Sequence, residues 1–286
     1  MRITSLSAVF GFLLSAALIS LVEGANFAKL FDVVWGGSHS TFLNNGTVLS
    51  ISLDKASGGL VQSKDQFLFG KLDMQIKLVR GESAGTVVSV YLRSGGNAGW
   101  DEIDFEFLGN VSGQPYLLHT NIYTQGKGDR EQQYKFWFDP TAKSHIYSIL
   151  WNPSIVLWYV DGVPIRVFKN SNSNGVQYPM KQPMKVSASI WNGEEWATRG
   201  GAVKTDWTKS PFIVSFNSYK MTGCIIRANG ASSCNSTSTL PWYNQQLDLY
   251  TAQRIQSFQS SSMVYNYCSD TKRFNGNVPR ECSIPI

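Results

Sequence analysis

The stretch Asp101-Glu102-Ile103-Asp104-Phe105-Glu106-Phe107-Leu108-Gly109 alternates with period two. As a strand it puts Ile103, Phe105 and Phe107 on one face and Glu102, Asp104 and Glu106 on the other. The apolar face fits a core. The opposite face stacks three acids with no basic residue among them; the nearest in sequence are Arg93 and Lys127. Like charges on one face disfavour each other's ionisation, so such a row is costly unless it has a use. One use is glycoside hydrolysis, which needs one carboxylate as nucleophile and another as proton donor. A solvated strand face and a cation site show the same alternation, and on the pattern alone all three readings stay open. The cation reading lacks the Gly-containing ligand loop of an EF-hand.

Working outward, Leu68, Leu72, Met74, Ile76 and Leu78 alternate with Lys71, Asp73, Gln75 and Lys77, a half-buried strand. Thr86 to Arg93 reads as a second, and Gly95-Gly96-Asn97 leads from it into the acidic strand. Tyr116 to Tyr123 alternates too, with His119 and Asn121 on one face. If it pairs beside the acidic strand, both line the same groove. Tyr134 to Phe138 and Ile146 to Trp151 read as short aromatic strands. Asp161-Gly162 between Ile155–Val160 and Val163–Phe168 is a strong hairpin signal. Met184 to Trp191, Phe212 to Tyr219 and Met263 to Cys268 complete the set, and one helix is expected over Asn244 to Phe258. Many short strands and one late helix predict an all-β chain, an antiparallel β-sandwich with a C-terminal helix-containing extension.

The 286 residues carry a net charge of +5 without a Lys/Arg run, which argues against nucleic acid. Nine Trp suit β-structure and also a groove on which sugar rings stack. Arg2, the apolar run Ala8 to Val22 and Val22-Glu23-Gly24 read as a secretory leader cleaved after Gly24. The run is shorter than the ~20 residues of a spanning helix, so no membrane association is expected after cleavage. The expected division is a leader at 1–24, a β-sandwich at 25–215 and an extension at 216–286. Four Cys allow three pairings; the short loops Cys224–Cys234 and Cys268–Cys282 are preferred because short closures form readily. Asn45, Asn110 and Asn235 each open an Asn-x-Ser/Thr acceptor site for a glycan. Neither a metal nor another cofactor is expected, and the chain is expected to be a monomer.

Glycosidic chemistry sets a geometric demand. Retaining enzymes hold their two carboxyls about 5–5.5 Å apart and inverting ones about 6.5–9.5 Å. Glu102 and Glu106 are four residues apart, so on a flat strand their α-carbons lie about 13 Å apart. The strand must be concave there, with both side chains leaning over Asp104.

The acidic stretch, extended to Asn110, resembles the signature of the plant xyloglucan endotransglucosylase/hydrolases of glycoside hydrolase family 16. Similar in the same way are Lys127-Gly128-Asp129-Arg130-Glu131-Gln132, Trp137-Phe138-Asp139-Pro140 and Val163-Pro164-Ile165-Arg166-Val167-Phe168-Lys169-Asn170. So are Trp191-Asn192, Trp196-Ala197-Thr198-Arg199-Gly200-Gly201, Lys204-Thr205-Asp206-Trp207 and Tyr265-Asn266-Tyr267-Cys268. The resemblance implies a curved jelly roll of the concanavalin type, with Glu102 as nucleophile, Glu106 as acid/base and Asp104 assisting. It implies xyloglucan donor and acceptor chains as partners, held by His119, Asn121, Lys127, Asp129, Arg130, Glu131, Trp191, Asn192, Trp196, Gly200, Gly201 and Arg273. It makes Asn110 the glycan site and the cell wall the destination, with secretion to the apoplast. The implied activity is endotransglucosylation; a xyloglucan or mixed-linkage glucan hydrolase and a non-catalytic carbohydrate-binding sandwich are the alternatives. Three positions depart from the usual pattern: Trp100 stands for His, His119 for Gln and Gln133 for Arg.

Overall fold

The computed structural model describes residues 25–286 apart from 97, 228 and 230; the expected leader lies outside the described residues. Their strands are Phe31–Trp35 (β1), Ser40–Leu43 (β2), Val48–Leu53 (β3), Gly59–Lys77 (β4), Thr86–Ser94 (β5), Glu102–Leu108 (β6) and Leu117–Tyr123 (β7). Then come Gln132–Lys135 (β8), His145–Trp151 (β9), Ile155–Val160 (β10), Val163–Lys169 (β11), Met184–Asn192 (β12), Phe212–Ile226 (β13) and Met263–Asn266 (β14). All pairings are antiparallel and resolve into two layers sharing β4. One layer runs β1, the first part of β4, β12, β5, β6, β7, β8, β14. The other runs β2, β3, β13, the later part of β4, β9, β10, β11.

Alternation explains the layering. Ile103, Phe105 and Phe107 are at most 1% exposed and enter the space between the layers. Phe107 meets the Tyr147 ring of β9 edge-on at 4.6 Å, and Phe105 meets it at 5.8 Å. Each such ring removed from water stabilises by about 1.5–3 kcal/mol. This burial fixes the register of β6, because a one-residue slip puts the acids into the core. The β10–β11 hairpin closes through Asp161 and Gly162, both at positive φ (48° and 73°), as a primed two-residue turn requires.

Several boundaries differ from the sequence reading: β4 starts at Gly59 rather than near Leu68, and β13 runs past Tyr219 to Ile226, because both strands stay paired over those lengths. The helix spans Leu249–Ser262, because Asp248 rather than an earlier residue caps it, accepting the Thr251 N–H at 2.7 Å. Ala252, Ile255 and Phe258 form its buried stripe. β8 ends at Lys135, because Phe136 and Phe138 fold onto Tyr147 and His145 instead of extending the ladder. β14 ends at Asn266, whose side chain accepts the Cys268 N–H and turns the chain into a 3₁₀ segment. Cys224 pairs with Cys234 and Cys268 with Cys282.

The C-terminal segment is tied to the β7–β8 connection by charge. Arg273 reaches Asp129 and Glu131 at 2.5 and 2.6 Å, and Arg130 reaches Glu281 at 2.5 Å. No helix of the described residues is long and apolar enough to cross a membrane.

Candidate active site

The register of β5, β6 and β7 lays out the site in rows. Glu102 lies between Arg93 and Tyr123, Asp104 between Tyr91 and Asn121, and Glu106 between Ser89 and His119. Directly paired residues share a face, so each row lies on the outer surface of the layer. The three acids line one cavity of about 260 Å³ with Trp35, Leu60, Ser89, Tyr91, Arg93, Ser189 and Trp191. The side chains thus reach a common space despite their spacing along β6. Among the described residues, no group of three or more His, Cys, Asp or Glu is placed to hold a metal ion.

The acids have unequal neighbours. Arg93 Nη1 donates to Glu102 Oε2 at 3.1 Å, and its guanidinium lies 4.6 Å from the Trp100 ring centroid. Trp100 stacks in turn on Tyr123 at 5.9 Å. Burial raises Glu102 above the usual carboxylate range, and Arg93 offsets part of that rise. Among the described residues, no Lys or Arg pairs with Glu106 in this way. Burial first, then the charges of Glu102 and Glu131, push it up to about 7. The Ser89 hydroxyl hydrogen-bonds Glu106, and Ser89 Oγ also accepts the Trp191 Nε1–H at 3.3 Å. Asp104 is raised well above the carboxylate range by burial and by both glutamates; the Asn121 N–H, donated to its Oδ1 at 2.5 Å, opposes the rise. The two glutamates thus have different environments: a guanidinium offsets the rise at Glu102, while neighbouring carboxylates add to it at Glu106.

His119 Nε2 lies 3.8 Å from Glu106 Oε2, the spacing of an ion pair. Burial holds the imidazole down to about 4, so above that pH the contact is between Glu106 and a neutral ring. Gln133 Nε2 lies 3.1 Å from His119 Nδ1. With the amide donating there, the ring proton sits on Nε2, facing Glu106. Two of the departures from the family pattern, at His119 and Gln133, therefore form one hydrogen-bonded unit.

The other expected contacts separate. Trp191 and Trp196 lie 6.1 Å apart, and Trp196 meets His119 edge-on at 5.8 Å, so an aromatic wall flanks Glu106. Asn121, 4% exposed, spends its carbonyl on the Ile122 and Arg130 N–H groups. Lys127 and Asp129 are exposed at the groove's end, where Asp129, Glu131 and Arg273 form one ion cluster. Arg130 departs from the expectation of a glucan contact: it is 8% exposed and faces inward. Its guanidinium packs on Phe168 of the opposite layer and donates to Glu281, Thr124 Oγ1 and the Lys127 carbonyl. Asn192 caps the following turn, accepting from the Glu194 N–H and the Thr205 hydroxyl. Gly200 and Gly201 form the Trp196-to-Val203 turn, where a Cβ on Gly201 would lie 2.1 Å from the Glu195 carbonyl oxygen. Asn45 and Asn235 are exposed and Asn110 is half-buried.

Trp35, Tyr91, Ser89 and Arg93 were not among the expected site residues. Alternation across Thr86 to Arg93 marks Ser89, Tyr91 and Arg93 as one face, a signal available in the sequence. Trp35 gives none, because its place depends on β1 pairing with β4. It is 45% exposed in the groove wall, a free face for a sugar ring. Trp35→Ala is expected to raise the KM for a glucan donor about fivefold, equivalent to roughly 1 kcal/mol of stacking, with kcat unchanged. Initial rates across donor concentrations check this; an unchanged KM removes Trp35 from the binding surface.

Stability also carries a signature. Glu106 binds its proton more tightly in the fold than in the unfolded chain, so the stability it contributes is lost as pH rises through about 7. His119 acts in the opposite sense, losing its contribution as pH falls from its ordinary 6.5 towards about 4. Between about pH 5 and pH 8, the wild-type melting midpoint should therefore fall more steeply than that of Glu106→Gln. Equal slopes in thermal melts contradict the placement of that proton.

The family profile described as "Glycosyl hydrolases family 16" matches residues 27–209, and "Xyloglucan endo-transglycosylase (XET) C-terminus" matches 236–282. The "Probable xyloglucan endotransglucosylase/hydrolase protein 23" of Arabidopsis thaliana is 53% identical over 99% of each chain. "Xyloglucan endotransglucosylase protein 1" of Diospyros kaki is 49% identical over 98% of this chain and 96% of the relative. Among solved structures, the Bacillus licheniformis beta-glucanase superposes with a TM-score of 0.55 at 25% identity, covering 68% of this chain and 92% of that one. The apo Crh5 transglycosylase gives 0.57 at 25% identity, covering 72% and 84%. The two-layer sandwich and the groove carrying the acids are thus a jelly-roll glycosidase frame, and the chain belongs to the xyloglucan endotransglucosylase/hydrolases of glycosyl hydrolase family 16.

Proposed function

We propose that the chain is a retaining xyloglucan endotransglucosylase of the plant cell wall. The observation that carries this is the row order on β6: Glu102 faces Arg93, while Glu106, pushed up to about 7, faces His119 and the tryptophan wall. The similarity in sequence to the named plant relatives over 98–99% of the chain supports the substrate.

In the first step a Glu102 carboxylate oxygen attacks the anomeric carbon of a β-1,4-glucan backbone. The bond to the leaving chain breaks, and its oxygen takes the proton of Glu106. One negative charge thereby moves from Glu102 to Glu106, with Asp104 between them. In the second step Glu106 takes the proton of an incoming sugar hydroxyl. That oxygen bonds to the anomeric carbon and displaces the Glu102 carboxylate, so two inversions give retention. The wall of Trp191, Trp196 and His119 favours an acceptor ring over water at Glu106. The expected boundary at 215/216 moves to the end of β13, because that strand stays paired with β4 through Ile226; the sandwich up to Ile226 is the catalytic unit, and the segment after it lengthens the acceptor side, held by the Arg273 and Arg130 ion pairs.

The test mixes purified protein with long xyloglucan and labelled short xyloglucan oligosaccharides. Label is expected in the polymer fraction. New reducing ends without label mean a hydrolase, and neither product contradicts the catalytic reading.

A further inference from the structure

One buried charge beneath the site has no part in the chemistry above. Arg166 on β11 is 2% exposed, and its hydrogen bonds among the described residues go to neutral oxygens. Nη1 donates to the Thr120 carbonyl and to Thr120 Oγ1, both at 2.8 Å, and Nη2 donates to the Arg130 carbonyl at 2.6 Å. A guanidinium cannot shed its charge in a protein, so burying it without a carboxylate partner is costly.

Where the charge points gives the reason. Thr120 lies on β7 between His119 and Asn121, which pair with Glu106 and Asp104. The Thr120 carbonyl and the Asn121 N–H belong to one peptide group. Arg166 holds its oxygen, and its N–H is the donor to Asp104 Oδ1 at 2.5 Å. A cation on the carbonyl draws electron density through the peptide and makes the N–H a stronger donor. A second path runs beside it. The guanidinium lies 4.8 Å from the Trp158 ring centroid, and Trp158 Nε1 donates to the Asp104 carbonyl at 2.9 Å. Arg166 thus meets Asp104 from two sides, each time through one intervening group.

We propose that Arg166 is a positioning residue for Asp104: it fixes and polarises the Thr120–Asn121 peptide, whose N–H holds the Asp104 carboxyl between Glu102 and Glu106. The proposal rests on the assisting role given to Asp104 above. The groups around that carboxyl are Glu102 and Glu106 on β6, Tyr91 and Arg93 on β5, and His119, Asn121 and Tyr123 on β7. Trp158 and Arg166 reach it from beneath. The two glutamates push its proton on, and Arg166 and the Asn121 N–H work against them. That balance lets Asp104 answer the charge that moves between the glutamates during each step.

The test uses full-length protein with ¹³C-labelled aspartate carboxyls, the Asp104 signal being assigned by its loss in Asp104→Asn. Arg166→Met, which keeps a long stem and loses the charge, is expected to move the Asp104 titration up by about one pH unit. Transfer kcat falls about tenfold in that variant, with the acceptor KM within about twofold. Arg166→Lys restores most of both. An unmoved Asp104 titration in Arg166→Met overturns the proposal even if kcat falls, since that is the mark of a merely structural role. If the Met variant does not fold, the Lys variant is read alone: a smaller upward shift supports the relay and none overturns it. The titration is read without substrate, so it is separate from the trio's assignment. A wild-type rate in Asp104→Asn overturns that assignment, and the positioning role with it.

Discussion

Glu102→Ala is expected to fold, to bind glucan as the wild type does, and to lose transfer by roughly four orders of magnitude or more. Glu102 is half-buried on β6, and its carboxyl faces the groove. Its removal leaves the apolar face of β6 untouched, because Ile103, Phe105 and Phe107 point the other way. Removing it also releases Arg93 from its ion pair and lightens the crowd of acids around Asp104. Stability should therefore hold while turnover collapses. Loss of a covalent nucleophile takes away the intermediate itself, and residual catalysis by the remaining groups is small. Rates near wild type would sink the assignment, and loss of folding would show that the trio is structural.

The second large effect belongs to Glu106. Glu106→Gln cannot give a proton to the leaving oxygen or take one from the acceptor, so transfer on natural xyloglucan falls by about 10²–10⁴. A donor carrying an aryl leaving group needs no proton to depart. With it, the first step in this variant should recover to near the wild-type rate while the second stays slow. The wild-type profile should fall as pH rises through about 7, where Glu106 loses its proton before the first step. The variant, having no proton to lose there, should be flat across that window. An equal loss on both donors would mean that Glu106 does not act as the acid.

What was legible in the sequence follows from what was local. The alternation of β6 shows both its buried face and its acids, because one strand carries both. His119 and Asn121 follow from the same alternation on the next strand, which pairs beside it. Arg93 stands nine residues from Glu102, across a loop whose length does not fix the register, so its ion pair appears only in the fold. Trp35 reaches the groove through β1 pairing with β4, a contact with no local signal. Arg130 shows the reverse case. The resemblance implies a glucan contact for it. Its partner Glu281 lies 151 residues away and turns it inward. The helix starts at Leu249 rather than Asn244 because the capping carboxylate is Asp248, a choice that apolar spacing alone does not make. The three acids line one cavity, which their α-carbon spacing along a strand does not by itself foretell.

The most direct measurement is intact-protein mass spectrometry of Glu106→Ala mixed with a xyloglucan-oligosaccharide aryl glycoside and no acceptor. Glycosylation should proceed and its release should stall, leaving one added glycan on the protein, carried after proteolysis by the peptide containing Glu102. A protein that turns the donor over with no adduct, or one that carries the sugar on another residue, would contradict the account.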